Sequence, residues 1–523
     1  MTEPAAPLRP RHTGALALGD LIPPAGGQTP ISGVSADSRR VLPGDLYVAL
    51  PGLTTHGARF SDAAIAAGAA AILTDADGAE LLGGSPAVPV VVVADPRGEL
   101  ARLASEVYGR PSEELLMLGI TGTAGKTSTV YLLEAGLAAA GLAVGTIGTI
   151  GFRLRGEALP AVRSTVTTPE SPDLQALLAV MRERGAQAVA MEVSSHALAL
   201  HRVDAIAFDV AGFTNLGHDH LDFHRDQESY YRAKAALFLG GRARRAVINT
   251  DDPWGRRLTG ELRAEGRATV VTTGGPEADY RIVAHRVQDD GSSRVRMAAP
   301  SGEAEFTLGL VGRFNLANAL TAAAMIDQAG VELDAALAGF ATASIPGRME
   351  RVPLPGVTPN VVVDFAHTPE EVAAALAALP EARTLVVLGC GGDRDAAKRG
   401  PMGAAAARGA QVVVVTDDNP RSEDPALIRQ AVLAGAHAEA ETTGALVLDG
   451  GDRRSAIRTA LAQAAPGDWV AILGKGHESG QEIAGVITPF DDVAVVGEAW
   501  ASLHATIGAG PDKAPSGEEP SHG

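Results

Sequence analysis

The chain has 523 residues, enough for about three domains at ~150 residues each, and its 44 Lys+Arg against 62 Asp+Glu give a net charge of −18. That acidic balance excludes an extended basic face for nucleic acid or a membrane surface, while leaving room for one basic pocket around a phosphate. A lone cysteine, Cys390, excludes a disulfide framework within the chain and a four-thiolate metal site, and 46% hydrophobic residues with only 4% aromatics predict cores built from aliphatic side chains and alanine.

Residues 1–111 read as one α/β unit, with strands at 45–50, 71–74 and 88–94, helices at 61–69 and 98–108, and a Gly- and Pro-punctuated linker at 108–111. The first ten residues lack the apolar core of a signal peptide, and no run approaches the ~18 apolar residues of a spanning helix, so no stable membrane insertion and a cytoplasmic location are expected, with a monomer as the default. A second pattern starts with the apolar run 115–121, a glycine-containing loop and an Ala/Leu helix over 126–140, the opening of a parallel α/β unit. Strands follow at 188–193, 210–215 and 245–249, then a helix at 315–328 and a hinge at 344–348, which closes a domain spanning 112–345. Strands at 361–364, 384–388, 411–416 and 469–473, separated by helical stretches, predict a Rossmann-like domain over 346–507. Residues 508–523, rich in Pro, Gly, Ser and Glu, read as a disordered tail. The fold class is therefore α/β in three domains.

Chemistry concentrates at a few places. Gly122-Thr123-Ala124-Gly125-Lys126-Thr127, followed by Ser128, stands between a strand and a helix. Small residues let backbone amides line a concave loop, the helix N-terminus favours an anion, lysine reaches outer phosphates and the threonine hydroxyl suits Mg²⁺. The strict phosphate-loop pattern wants glycine at position 120, where this chain has Ile120. Lysine occurs only five times, at 126, 234, 398, 475 and 513, so each retained lysine invites a specific reason. Glu192, at a strand end before Ser194, Ser195 and His196, is placed to ligand a cation across from the loop. The segment 215–224 holds His218, Asp219, His220, Asp222 and His224. That density suits a zinc hydrolase, one histidine serving an ATP-bound Mg²⁺, or simply a polar loop; the zinc reading lacks a helical His-Glu-x-x-His partner. In the last domain, polar clusters at 364–369, 389–394, 417–421 and 474–478 end four strands, where open α/β sheets bind ligands. Arg394 and Arg421 suit carboxylates and Glu478 an ammonium, so a zwitterionic amino acid would fit.

Together these segments resemble the Mur ligase family over nearly the whole chain, in the family's order: the 121–127 loop, 192–196, 215–222, Lys234, Asn315 with Asn318, Pro346-Gly347-Arg348 and 364–369. Asp37-Ser38-Arg39, Thr167-Thr168-Pro169, Asp418-Asn419-Pro420-Arg421 and Gly474-Lys475-Gly476-His477-Glu478 resemble the branch that adds diaminopimelate. The resemblance implies an N-terminal UDP-binding domain, a central ATPase domain with a mostly parallel sheet and a C-terminal domain for the incoming amino acid. It implies ATP-dependent joining of diaminopimelate to the D-Glu γ-carboxylate of UDP-MurNAc-L-Ala-D-Glu through an acyl phosphate. It further implies that Lys126, Lys234, His220 and Arg348 serve catalysis, with two Mg²⁺ held by Thr127, Glu192, His220 and a Lys234 carbamylated by CO₂ (N6-carboxylysine). By the same resemblance, the 122–128 loop, Asn315, Asn318 and Asp364 hold ATP; Ser38, Thr167, Thr168, Ser194 and Arg202 hold the sugar nucleotide; and Arg394, Asp418, Asn419, Pro420, Arg421, Gly474 and Glu478 hold diaminopimelate. Leu200 stands where relatives often have glutamine. Alternatives are the same ligase using L-lysine, a folylpolyglutamate-type ligase and a non-catalytic nucleotide-binding regulator. The resemblance also implies closure at the hinge near Pro346.

Overall fold

The computed structural model describes residues 8–11, 14–23, 27–52, 54–83, 86–159, 166–217 and 221–505. It divides into two compact units, one within Met1–Arg286, Arg294–Gly309 and Phe314–Ala343, the other within Val287–Ser293, Leu310–Arg313 and Ser344–Gly523. The proposed tail at 508–523 and His218, Asp219 and His220 lie outside the described residues.

The first unit opens with a parallel four-stranded sheet in the order Gly33–Ser35, Asp45–Val48, Ala71–Thr74, Val90–Val92. The strand expected at 88–94 shrinks to three residues, and the helix expected at 61–69 ends at Ala66, ahead of Gly68 at φ 103°. Helix Pro96–Val107, capped by Asp95 accepting from the Gly98 amide, shares a core with Ala176 and Ala179 of helix Ser171–Glu183. The connector after it is pinned rather than loose, because Arg182 donates to the Gly109 carbonyl at 3.0 Å.

The large sheet of this unit has eleven strands. Its parallel centre runs Val144–Gly148, Ala188–Glu192, Leu116–Thr121, Phe208–Phe213, Ala243–Asn249, Thr269–Gly274. The four strands from Val144–Gly148 to Phe208–Phe213 are almost wholly buried, as both faces of a parallel sheet are covered, whereas Ala243–Asn249 and Thr269–Gly274 carry exposed residues near their starts. Leu116–Thr121 lies between Ala188–Glu192 and Phe208–Phe213, so chain direction across the sheet switches beside it and its carboxyl end faces a crevice. The sheet continues through Tyr280–Val287, Ser293–Ala299 and Gly302–Leu308, strands absent from the sequence reading.

The second unit carries a six-stranded sheet in the order Glu350–Arg351, Asn360–Asp364, Trp469–Leu473, Thr384–Cys390, Val412–Asp417, Leu446–Gly451. All neighbours are parallel except the short first strand. Trp469–Leu473 inserts between two earlier strands, so this sheet also has a switch point, and the four polar clusters foreseen in the sequence end strands around it.

Candidate active site

The loop from Gly122 leads straight from a buried strand into helix Lys126–Ala139, whose N-terminus has no side-chain cap. Gly125 sits at φ 87°, and a Cβ there would lie 2.4 Å from Asn318 Oδ1, so glycine lets helix Phe314–Gln328 press on the loop. Asn318 in turn donates to Asn315 Oδ1 at 3.0 Å, and both asparagines are buried. The other side of the loop is held by Asn215, which accepts from the Thr123 amide through its carbonyl (2.9 Å) and from the Ala124 amide through Oδ1 (3.0 Å). Lys126 Nζ donates back to the carbonyls of Gly122 and Thr123, each at 2.9 Å, and Ser128 is half-buried in the first helical turn. The result is a rigid loop with an uncapped helix end, the arrangement that binds phosphate.

Glu192 is the hub beside that loop. Although 1% exposed, its Oε1 accepts from Thr127 Oγ1 at 2.9 Å and from the Thr149 amide at 2.9 Å, and its Oε2 accepts from Thr149 Oγ1 at 3.1 Å. Thr149 was missed in the sequence; its signal was the Gly148-Thr149 step ending a strand of the same sheet. Lys234, on helix Gln227–Ala235 and 1% exposed, reaches the loop from a third side and donates to the Gly122 carbonyl at 2.8 Å, its ammonium 4.6 Å from the Tyr230 ring centroid. Tyr230 contacts Thr123 Oγ1 at 3.1 Å, and the buried His224 meets Ser195 Oγ at 2.9 Å. His220 lies outside the described residues, and among the described residues no cluster of three or more His, Cys, Asp or Glu is assembled.

Next to Glu192, Thr168 donates to its backbone carbonyl and accepts from the Ser194 amide at 3.1 Å, while Thr167 Oγ1 lies 3.1 Å from Thr149 Oγ1. Ser194 caps helix Ser195–Ala199. Arg202 donates to the Thr168 carbonyl and pairs with Glu170 at 2.8 Å, which Arg97 meets from the other side, also at 2.8 Å. Glu170 and Arg97 border a cavity of about 640 Å³ shared with Ser38, Arg39, Tyr47 and Arg9. Ser38 begins a short 3₁₀ turn capped by Asp37. Arg202, grouped with Ser38 by the family resemblance, does not itself line that cavity but pairs with Glu170, which does and which the sequence reading missed.

In the second unit, a cavity of about 250 Å³ is lined by Arg394, Asp418, Asn419, Arg421, Gly474 and Glu478 together with Lys398 and Cys390. Arg421, at φ 53°, donates to the Gly392 carbonyl at 2.7 Å, and Gly392 has no side chain because a Cβ would lie 2.0 Å from the Pro420 carbonyl oxygen. Asn419 donates to Glu478 Oε2 at 2.7 Å. Burial holds the Asp418 carboxyl above its usual range, against the opposing pull of Arg453 and Lys475. Asp364 ends the neighbouring strand with both oxygens engaged: Oδ2 accepts from the Met349 amide and Oδ1 from the Ala366 amide, while burial raises its carboxyl. Arg348 stacks 5.0 Å from the Phe365 ring centroid.

The comparisons with known proteins agree with one another. Residues 120–326 match the Mur ligase middle domain, 347–476 the glutamate ligase domain of Mur ligases and 30–108 the Mur ligase family catalytic domain. A UDP-N-acetylmuramoyl-L-alanyl-D-glutamate–2,6-diaminopimelate ligase of Streptomyces avermitilis is 47% identical over 95% of this chain and 99% of its own length. The enzyme of that name from Corynebacterium glutamicum is 46% identical over 89% of this chain and 91% of its own. A solved structure of a ligase of that name, 30% identical, superposes with a TM-score of 0.72 over 94% of this chain and the whole of that one.

Proposed function

Because the chain belongs to the Mur ligase family, we propose that it joins diaminopimelate to the D-Glu γ-carboxylate of UDP-MurNAc-L-Ala-D-Glu at the expense of ATP, acting in the cytoplasm. The observation that carries the substrate choice is the second unit's cavity, where Arg394 and Arg421 stand with Asp418 and Glu478: cationic and anionic groups converge as a zwitterion with a second carboxylate requires.

In this reading the carboxylate takes the γ-phosphoryl group of ATP, ADP departs, the amine attacks the acyl carbon, and phosphate leaves as the ammonium proton is released. Two negatively charged partners must approach, so the chain's task is positioning and charge compensation. The Gly122–Ser128 loop cradles phosphates with backbone amides, and Lys126 turns from the loop carbonyls to the outer phosphate oxygens. Asn315 and Asn318 brace the loop's far side, and Asp364, by accepting from the Met349 amide, shapes the turn that carries Arg348. The oxygen donors Thr127 and Glu192 suit Mg²⁺, a hard cation, and both lie at the loop. When bound, the ion would draw charge from the transferring phosphoryl group. A second Mg²⁺ would use His220 and a carbamylated Lys234; the buried Lys234 amine at the loop edge supports that assignment. Ser38, Thr167, Thr168, Ser194 and Arg202 hold the sugar nucleotide. Asn419, Pro420 and Gly474 shape the amino-acid cavity.

Phosphate release with ATP, Mg²⁺ and UDP-MurNAc-L-Ala-D-Glu, comparing meso-diaminopimelate, LL-diaminopimelate and L-lysine, tests the reading. Turnover with a diaminopimelate and not lysine is the expected result. Equal turnover with lysine removes the role given to Arg421, and no turnover with any amino acid removes the ligase.

A further inference from the structure

The cavity in the second unit rests on a buried charged layer that the reaction scheme above leaves unused. Lys475 is 0% exposed although it neighbours the partly exposed Glu478. Its Nζ makes three hydrogen bonds, to the Gly480 carbonyl at 2.6 Å, Glu478 Oε2 at 3.2 Å and Asn419 Oδ1 at 3.3 Å, so all three ammonium protons are committed. Asn419 Oδ1 also accepts from the Glu482 amide at 2.9 Å. With two donors on its oxygen, the Asn419 amide can only point its NH₂ group at Glu478, which it meets at 2.7 Å. Asp418 Oδ1, buried without a hydrogen-bond partner, lies 3.8 Å from the same Nζ. Deeper still, Arg453 pairs with Asp492 with both side chains fully buried and donates to the Leu473 carbonyl, one residue before Gly474.

We propose that Lys475 is a positioning residue of the amino-acid site: its buried ammonium fixes Asn419 and Glu478 in the arrangement that receives the amino acid, and leaves Asp418 Oδ1, which no hydrogen bond occupies, to face an incoming ammonium. The inference rests on the reading of this cavity as the diaminopimelate site. Asp418, Glu478 and Asp492 stand with Lys475 and Arg453 in this layer, a surplus of one carboxylate that a substrate ammonium offsets, while Arg394, Arg421 and Lys398 line the same cavity and suit the substrate's carboxylates. Without Lys475 the surplus grows to two, the Asn419 oxygen keeps the Glu482 amide but loses its charged donor, and Glu478 loses one of two donors. Lysine is the suitable cation because a compact three-donor ammonium fits among these oxygens, whereas a planar guanidinium needs a wider, forked arrangement.

The test replaces Lys475 in the full chain by methionine (Lys475→Met) and by arginine (Lys475→Arg), measuring thermal stability and the KM of each substrate separately. The expected result for Lys475→Met is a KM for diaminopimelate raised by about tenfold or more, the size of a lost hydrogen bond to a charged group, with KM for ATP and the sugar nucleotide unmoved. Lys475→Arg keeps the charge and is expected to raise only the diaminopimelate KM, by about threefold or more. If Lys475→Met does not fold, Lys475→Arg decides alone. An unchanged diaminopimelate KM, a parallel rise of all three KM values, or the failure of both variants to fold overturns the proposal, leaving Lys475 a structural staple. A wild-type chain inactive with diaminopimelate instead refutes the functional reading beneath it.

Discussion

Glu192→Gln separates the proposed cation site from the fold around it. Glu192 Oε1 accepts from Thr127 Oγ1 and the Thr149 amide, both at 2.9 Å, and a glutamine carbonyl placed there keeps both bonds. The glutamine NH₂ then replaces Oε2 opposite Thr149 Oγ1, now 3.1 Å away, and that hydroxyl rotates to accept while donating to Thr167 Oγ1, also 3.1 Å away. All three bonds to the carboxylate lose their charge assistance, so stability falls by about 1–3 kcal/mol and Tm falls by several degrees. The cation loses its only charged ligand among the described partners of Thr127. Losing one such preorganised group at a transferring phosphate costs about 2.7–4 kcal/mol of transition-state stabilisation, or roughly 10²–10³ in kcat. The assay is phosphate release against Mg²⁺ concentration, with Tm measured on the same preparations. A Glu192→Gln enzyme with wild-type kcat and an unshifted Mg²⁺ dependence would refute the assignment; a Tm fall large enough to unfold the enzyme at assay temperature would refute the hydrogen-bond reasoning.

Arg421→Lys keeps one charge but loses the fork that spans the Gly392 carbonyl and the cavity, so the diaminopimelate KM rises about 10–100-fold while the ATP KM holds; equal shifts in both would contradict this. Burial pushes the Cys390 thiol up to about 12, so iodoacetamide at pH 8 leaves the native chain unalkylated by mass spectrometry and adds one group after denaturation, since Cys390 is the single cysteine. Gly347 sits at φ 63° with the His477 nitrogen 2.0 Å from where a Cβ would go, so Gly347→Ala lowers stability by about 2 kcal/mol or more in calorimetry. Asp364→Asn differs from the glutamine change at 192: both Asp364 oxygens accept from backbone amides, so an NH₂ must face one of them. It costs about 1–3 kcal/mol of stability, seen as a lowered Tm before any activity is read.

The sequence was most legible where chemistry and periodicity coincide. The 122–128 loop was placed because small residues between an apolar run and an Ala/Leu helix leave few other structures, and the four polar clusters of the last domain were found because each ends a continuous apolar strand. The strands Tyr280–Val287, Ser293–Ala299 and Gly302–Leu308 were not found. In Tyr280–Val287 most positions beyond the first are exposed or half-exposed, so burial imposes no readable alternation. Register was harder still. The strand expected at 210–215 lies at Phe208–Phe213, and Asn215 is thereby released into a loop, where its side chain and carbonyl hold the 122–128 loop.

What the sequence cannot carry is the distinction between a residue that meets substrate and one that holds such a residue still. Thr149, Glu170 and Lys475 belong to motifs or strand ends already in view, yet their roles follow only from partners 43, 32 and 56 residues away in the chain: Glu192, Arg202 and Asn419. In each case a buried or half-buried ion must be satisfied, and the fold meets that demand with a donor or acceptor distant in the chain: from strand ends at Glu192 and Asn419, and for Arg202 from Glu170 at the start of helix Ser171–Glu183. Carboxyl ends of parallel strands are adjacent whatever their order in the chain, so the switch-point crevices collect these partners as readily as they collect ligands. The candidate site is therefore built in two layers, motif residues and the partners that hold them: the first is recognisable in the sequence, and the second becomes so once the sheet order is known.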